Sequence, residues 1–188
     1  MSILPTKEQA QKLVDEHVKD TYQKLHVKMV ANVMEAYAKK LGEDSNLWYV
    51  TGLLHDLDYY EYPQEHPKKS LEWFKEWNYP EELIHAIEAH ACHYGTNVEP
   101  KTKMASCLCA VDELCGFLYA YSLMRPTGWE GMEASSVKKK FKDKAFAAKI
   151  SREDVNFGVE KFGVEFGEVA SFLIDVFSQM LELRHSEQ

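Results

Sequence analysis

The chain has 188 residues, of which 45% are hydrophobic and 28% charged, with a formal net charge of −8. This length is sufficient for one sizeable hydrophobic core, and the composition is ordinary for a globular protein. The acidic balance argues against binding to a nucleic acid polymer, which favours a basic surface, but it is compatible with a small phosphorylated substrate.

Targeting and membrane signals are not apparent in the sequence. No segment looks long and apolar enough for a membrane span, and the N-terminus lacks the basic and then apolar pattern of a secretory signal. We therefore expect a cytoplasmic protein that does not associate with membranes.

Apolar residues recur at helical spacing along the chain, and no segment alternates as a strand does. The breaks between these segments carry glycine, proline or acidic turn residues. The pattern predicts an all-α fold in one domain, residues 1–188, with helices over roughly 6–24, 27–41, 46–57, 68–77, 80–92, 101–123, 134–147 and 160–183, and another helix after Ser151 left open.

In three of these helical segments, a residue type that can bind metal lies on or beside the apolar face. These residues are His26, the His55-Asp56 doublet and Asp112. Taken singly, each has an ordinary interpretation: His26 as a core histidine bonded to a carbonyl group, His55-Asp56 as a helix end, and Asp112 as a carboxylate paired with a base. Together they predict a buried site, because a buried carboxylate is costly unless it is paired or bound to metal. Two imidazoles and two carboxylates form a mixed nitrogen and oxygen set that suits Fe, Mn, Co, Ni or Zn.

This order of residues resembles the HD-domain metal-dependent phosphohydrolases, whose pattern is a histidine, a His-Asp doublet and a distant aspartate. The segments 51–59 and 110–114 are similar to a small bacterial and archaeal branch of that family, and the resemblance covers about residues 20–125. It implies an HD-type helical bundle with a metal-binding core over about 20–125 and a helical extension over 126–188. It also implies one or two divalent transition metal ions, with Asp56 as the catalytic residue that bridges two ions.

Dinuclear members of this family carry further histidines between the doublet and the last aspartate. His66 precedes Pro67 at the start of a predicted helix, and His90 lies on the apolar face of the next one. The resemblance implies that both bind a second ion. Related sequences often have two adjacent histidines where this chain has His90-Ala91-Cys92-His93, so His93 is a candidate whose role stays open.

Phosphate recognition must differ from that of many relatives, which carry a glycine and a lysine soon after the doublet. Here Leu57-Asp58-Tyr59-Tyr60-Glu61-Tyr62 follows instead. Lys68, Lys69 and Arg125 are the candidate substrate-binding residues, although the sequence favours a solvated surface base as the interpretation of each lysine. Asp58 is either a proton acceptor or a turn cap. The basic run 138–144 is either a solvated helix face or an electropositive rim that steers an anionic substrate.

The resemblance implies hydrolysis of a phosphate ester in a small molecule, such as a nucleotide, by attack of a metal-bound hydroxide. A di-iron oxygenase on the same scaffold and a non-catalytic, metal-stabilised ligand-sensing module are the alternatives. Four unevenly spaced cysteines without a Cys-x-x-Cys pair indicate reduced packing residues rather than a thiolate zinc site. The apolar C-terminal helix either packs on the bundle or forms the contact of a homodimer.

Overall fold

The computed structural model describes residues 2–180 and 183, and in these residues the regular structure is helical without strands. The predicted all-α fold is therefore confirmed. A π-helical turn, Cys92–Thr96, follows the fifth helix. The α-helices between residues 2 and 180 are α1 (Lys7–His17), α2 (Thr21–Leu41), α3 (Ser45–Leu54), α4 (Lys68–Glu76), α5 (Glu81–His90), α6 (Lys103–Met124), α7 (Ala134–Phe141), α8 (Arg152–Phe162) and α9 (Phe166–Gln179).

Local side-chain chemistry determines where α2 and α3 begin and end. Asp20 accepts a hydrogen bond from the backbone N–H of Gln23 and starts α2, and Gly42 ends it in the left-handed conformation with φ 73°. Asp44 then accepts from two backbone N–H groups in the first turn of α3. These caps place His26 in the second turn of α2 and His55 immediately after α3.

Four predicted helix boundaries differ clearly from the observed ones. The helix predicted over 134–147 ends at Phe141. The predicted break near residue 25 lies instead at residues 18–20, because Asp20 caps a new helix there. The predicted helix over 46–57 ends at Leu54, and a turn carries the His55-Asp56 doublet. The predicted helix over 160–183 is divided, because Gly163 ends α8 with φ 73° and Glu165 begins α9 with a capping box. Residues 181 and 182 of that prediction lie outside the described part of the chain.

The chain forms two compact units, residues 1–109 and 110–188. In the first unit α3 packs against α1, α2 and α5, and α4 packs against α5. Gly52 allows an unusually close approach of α3 to α2, because a Cβ atom there would lie 2.9 Å from the Cα atom of Ala31. The helix that carries His26 is thereby held close to the helix that ends at the doublet.

The second unit contains the rest of α6 together with α7, α8 and α9, and both α7 and α8 pack on α9. The apolar face of α9 is buried here, at Val169, Leu173 and Phe177. Arg152 stabilises the segment between α7 and α8 by donating hydrogen bonds to several of its backbone carbonyl groups. The single-domain organisation and the homodimer both stay predictions.

The prediction that no segment is long and apolar enough for a membrane span was wrong for one helix. The 22-residue α6 meets both criteria, although 61% of its most apolar window is buried inside the protein. Its apolar residues surround the helix instead of forming one stripe. A helix that is apolar on all sides is also typical of the buried core of a protein.

Candidate metal centre

His55 and Asp56 follow the last turn of α3 and form the centre of the candidate site. His55 is fully buried, and its Nδ1 atom lies 2.8 Å from the carbonyl oxygen of Gly52. A carbonyl only accepts hydrogen bonds, so this contact places the imidazole proton on Nδ1. The Nε2 lone pair of His55 is then directed toward the Oδ2 atom of Asp56, at 3.5 Å.

The Asp56 carboxylate lies between four imidazole rings. Its Oδ2 atom is 3.8 Å from Nε2 of His26 and 3.5 Å from Nε2 of His55. Its Oδ1 atom is 3.4 Å from Nε2 of His66 and 3.8 Å from Nε2 of His90. Each carboxylate oxygen therefore faces two histidine nitrogens, as expected for a carboxylate that bridges two ions.

His66 and His90 face each other through their Nε2 atoms, which are 3.2 Å apart. The Nδ1 atom of His66 lies 2.7 Å from the carboxylate of Asp58, and Nδ1 of His90 donates to the carbonyl of Ile87. With both protons on Nδ1, two lone pairs converge, which is unfavourable unless a cation or a shared proton lies between them. Two nitrogens that bind one ion at about 2.1 Å are separated by about 3.0–3.4 Å, so the observed spacing fits a shared metal.

Asp58 is a member of the site whose orienting role the sequence did not reveal. Its carboxylate is fully buried, and besides His66 it accepts a hydrogen bond from the backbone N–H of Ser70 at 2.9 Å. Asp58 therefore binds a backbone N–H group in the first turn of α4. The same carboxylate also fixes the orientation of the His66 ring. Histidines that bind metal generally donate their second ring N–H to a carboxylate or a carbonyl group. An aspartate close in sequence to a candidate histidine ligand, as Asp58 is to His66, is therefore the sequence signal for this role.

His93 is the candidate ligand whose role the sequence left open. His93 is exposed on the π-helical turn. The role of His93 as a ligand stays a prediction.

Asp112 lies in α6, three residues into the second compact unit, and is partly buried. The resemblance to the HD family assigns it to the metal centre. Its role as a ligand stays a prediction.

The basic residues proposed for substrate binding have the following surroundings. Lys68 is exposed, and Lys69 donates to Glu72 at 2.8 Å, a hydrogen bond that raises the pKa of the lysine. The guanidinium of Arg125 donates to the carbonyl oxygens of Gly128 and Glu130 and so stabilises the turn that follows α6. Contact of these three residues with a substrate stays a prediction.

The cysteines do not form the thiolate alternative in the described part of the chain. All four are buried, and burial raises the pKa of the Cys107 thiol well above its usual value. The groups of potential metal ligands found among the described residues consist of histidine and aspartate. These observations favour packing roles for the cysteines.

Comparison with known families agrees with this donor set. Residues 25–116 match the HD domain, so this part of the chain belongs to the HD-domain superfamily, whose members are in general metal-dependent hydrolases. The match includes His26, the doublet, both facing histidines and Asp112. The chain matches no curated protein and no solved structure at a significant level.

Proposed function

We propose that the protein is a metal-dependent phosphohydrolase that cleaves a phosphate ester of a small molecule, such as a nucleotide. The observation that carries this proposal is the pair of facing Nε2 atoms of His66 and His90, 3.2 Å apart, beside the carboxylate of Asp56. This arrangement fits a cation, and the HD family supplies the reaction class.

The donor atoms suit two divalent ions of Fe, Mn, Co, Ni or Zn. His26 and His55 would hold one ion together with Asp112, and His66 and His90 the other, with Asp56 between them. Such ions supply an acidified water and neutralise the charge that develops on phosphoryl oxygens.

The protein's own residues define access to this chemistry. The side chain of Asp56 is 19% exposed, whereas those of His55 and His90 are buried. The site therefore opens to solvent at the carboxylate of Asp56 and, to a smaller extent, at His26, whose side chain is 12% exposed. Asp58 keeps the Nδ1 proton of His66 in place, so that Nε2 stays available as a donor atom.

The first test is the metal content of protein purified without added metal or chelator, measured beside the Asp56→Ala variant. We expect about two transition metal ions per chain, lost in the variant, and release of phosphate from a panel of phosphomonoesters and phosphodiesters. Asp15→Ala is a matched control, because that carboxylate pairs with Lys24 on the surface. Protein that stays without metal after metal is supplied contradicts the proposal.

A di-iron oxygenase is the second candidate, because a carboxylate flanked by two histidines on each oxygen suits iron as well as other ions. Iron as the native metal and turnover that consumes dioxygen would favour it over hydrolysis. If the protein is instead a non-catalytic sensing module, the wild type shows neither phosphate release nor consumption of dioxygen. The main effect of Asp56→Ala is then a loss of stability.

A further inference from the structure

An exposed tyrosine packs on the two facing histidines of the candidate metal centre. The ring of Tyr94 is nearly parallel to that of His66, at 17° and with centroids 6.2 Å apart, and it is edge-on to that of His90 at 6.4 Å. Tyr94 is 54% exposed, whereas the side chains of His66 and His90 are 3% and 0% exposed. The tyrosine ring therefore lies on the solvent side of this histidine pair.

The backbone of the π-helical turn fixes Tyr94 relative to His90. Three successive N–H groups, those of residues 94–96, donate to the carbonyl of Ala91, which directly follows His90. The hydroxyl of Thr96 donates to the carbonyl of Glu88 in α5 at 2.7 Å. A π-helical turn is rare and is frequently found at functional sites. Here it connects Tyr94 to the helix that ends at one of the two histidines.

The same turn also packs closely against the segment that carries His66. A Cβ atom on Gly95 would lie 3.2 Å from the carbonyl oxygen of His66 and 3.2 Å from the Cδ atom of Pro67, so a larger side chain would be crowded there. The turn is thus fixed near both histidines on which the ring of Tyr94 lies.

The orientation of His66 depends on contacts with other side chains. This residue lies in a turn before α4, and no helix holds its backbone. The carboxylate of Asp58 binds its Nδ1 atom, and the ring of Tyr59 packs on it at 85° with centroids 5.2 Å apart. Tyr94 adds the nearly parallel ring. Apolar surroundings of metal-binding side chains control the access of water to them, and such surroundings affect metal affinity.

We propose that Tyr94 is a positioning residue for a metal ion at His66 and His90, which it retains by packing on both imidazoles and excluding water from them. The inference rests on the proposed metal centre and adds a residue outside its ligand set. The aromatic ring provides this packing, so phenylalanine can replace tyrosine. Alanine leaves both imidazoles open to water, which speeds loss of this ion but not of an ion at His26 and His55.

The test follows the release of zinc from zinc-loaded protein into an excess of a chromophoric chelator. Tyr94→Ala is expected to accelerate the release of one equivalent by about tenfold, as for the loss of a partner of a metal ligand, and to leave the other equivalent unchanged. Tyr94→Phe should release both at wild-type rates. His66→Ala identifies the accelerated phase, because it should lack that equivalent.

Tyr60→Ala is the matched control, since Tyr60 is 46% exposed in the turn that follows the doublet. Thermal unfolding of the metal-free variants separates positioning from a general structural role. A positioning residue predicts a metal-free Tyr94→Ala protein with nearly the Tm of the wild type, together with selective loss of one ion.

Unchanged release from Tyr94→Ala overturns the inference and leaves the proposed metal centre intact. Equal acceleration of both equivalents with a lower Tm of the metal-free protein also overturns it, because the tyrosine then supports the fold as a whole. Release from Tyr94→Phe that is as fast as from Tyr94→Ala assigns the effect to the hydroxyl group and contradicts packing by the ring. Wild-type protein that binds no zinc overturns the proposed function together with this inference.

Discussion

At the scale of single residues, the candidate centre depends on which nitrogen of each imidazole carries the proton. The carbonyl groups of Gly52 and Ile87 and the carboxylate of Asp58 each hold an Nδ1 proton, which leaves the Nε2 atoms as donors toward metal. Of these three acceptors, Asp58 is the one that a side-chain substitution can alter.

Asp58→Asn is expected to weaken metal binding at the His66 and His90 pair by about 10–100-fold, because the neutral amide orients and polarises His66 less well. Metal titration at neutral pH measures the effect, and circular dichroism checks that the fold is retained. A variant that folds and binds metal as tightly as the wild type would show that Asp58 only caps α4.

At the scale of elements, the distance between α2 and α3 positions His26 relative to His55. Gly52 determines this distance, since a Cβ atom there would meet both the Cα atom of Ala31 at 2.9 Å and its backbone nitrogen at 3.0 Å. Backbone atoms cannot rotate away as a flexible side chain does, so a larger residue forces the two helices apart.

Gly52→Ala is therefore expected to destabilise the protein by about 1–3 kcal/mol in urea unfolding, the usual effect of overpacking. It should also weaken metal binding, because His26 moves away from His55. Gly167→Ala in α9 is the matched control, since a Cβ atom at that position contacts nothing within 4 Å. Equal stability of the two variants would contradict the close approach of α2 and α3.

An ion-pair cluster joins α1 to α2 and makes part of the stability dependent on pH. Burial raises the pKa of Glu35, but hydrogen bonds from Lys7 at 2.8 Å and Lys39 at 3.0 Å outweigh it and leave the pKa below its ordinary value of 4.5. A carboxyl group with a lowered pKa in the folded state stabilises the protein above its unfolded-state pKa. This contribution is lost as the pH falls through the folded-state pKa.

Glu35→Gln should therefore reduce the free energy of unfolding at pH 7 by less than about 1 kcal/mol, since such pairs are only partly shielded from solvent. Below pH 4.5 the difference from wild type should shrink as Glu35 becomes protonated. Urea unfolding at pH 7 and pH 3 measures both values. A difference that grows on acidification would show that these lysines do not determine the ionisation of Glu35.

At the scale of the whole molecule, bound metal should contribute to stability, because the site joins residues from several helices and the turns between them. A ligand that binds only the folded state stabilises it by about 2.7 kcal/mol at 100 times its Kd. Chelation is expected to lower the Tm of the wild type and to leave that of Asp56→Ala nearly unchanged. Thermal unfolding with and without chelator tests this, and an equal decrease in both proteins would contradict a metal site at Asp56.

The sequence by itself determined the fold class, and it predicted the principal residues of the candidate site. Helical spacing of apolar residues indicated an all-α protein, because this periodicity depends only on local geometry. The order of His26, the His55-Asp56 doublet and Asp112 resembles the pattern of the HD family, and the match over residues 25–116 agrees. These signals depend on residue identity and order.

Only the tertiary structure decided how the site is arranged. The facing nitrogens of His66 and His90, the buried contact of Asp58 with His66 and the exposed position of His93 depend on how turns between helices bring distant residues together. The divided C-terminal helix likewise depended on Gly163 adopting a positive φ. Local periodicity carries no information about such angles and distances, because they arise from packing between elements that are far apart in the chain.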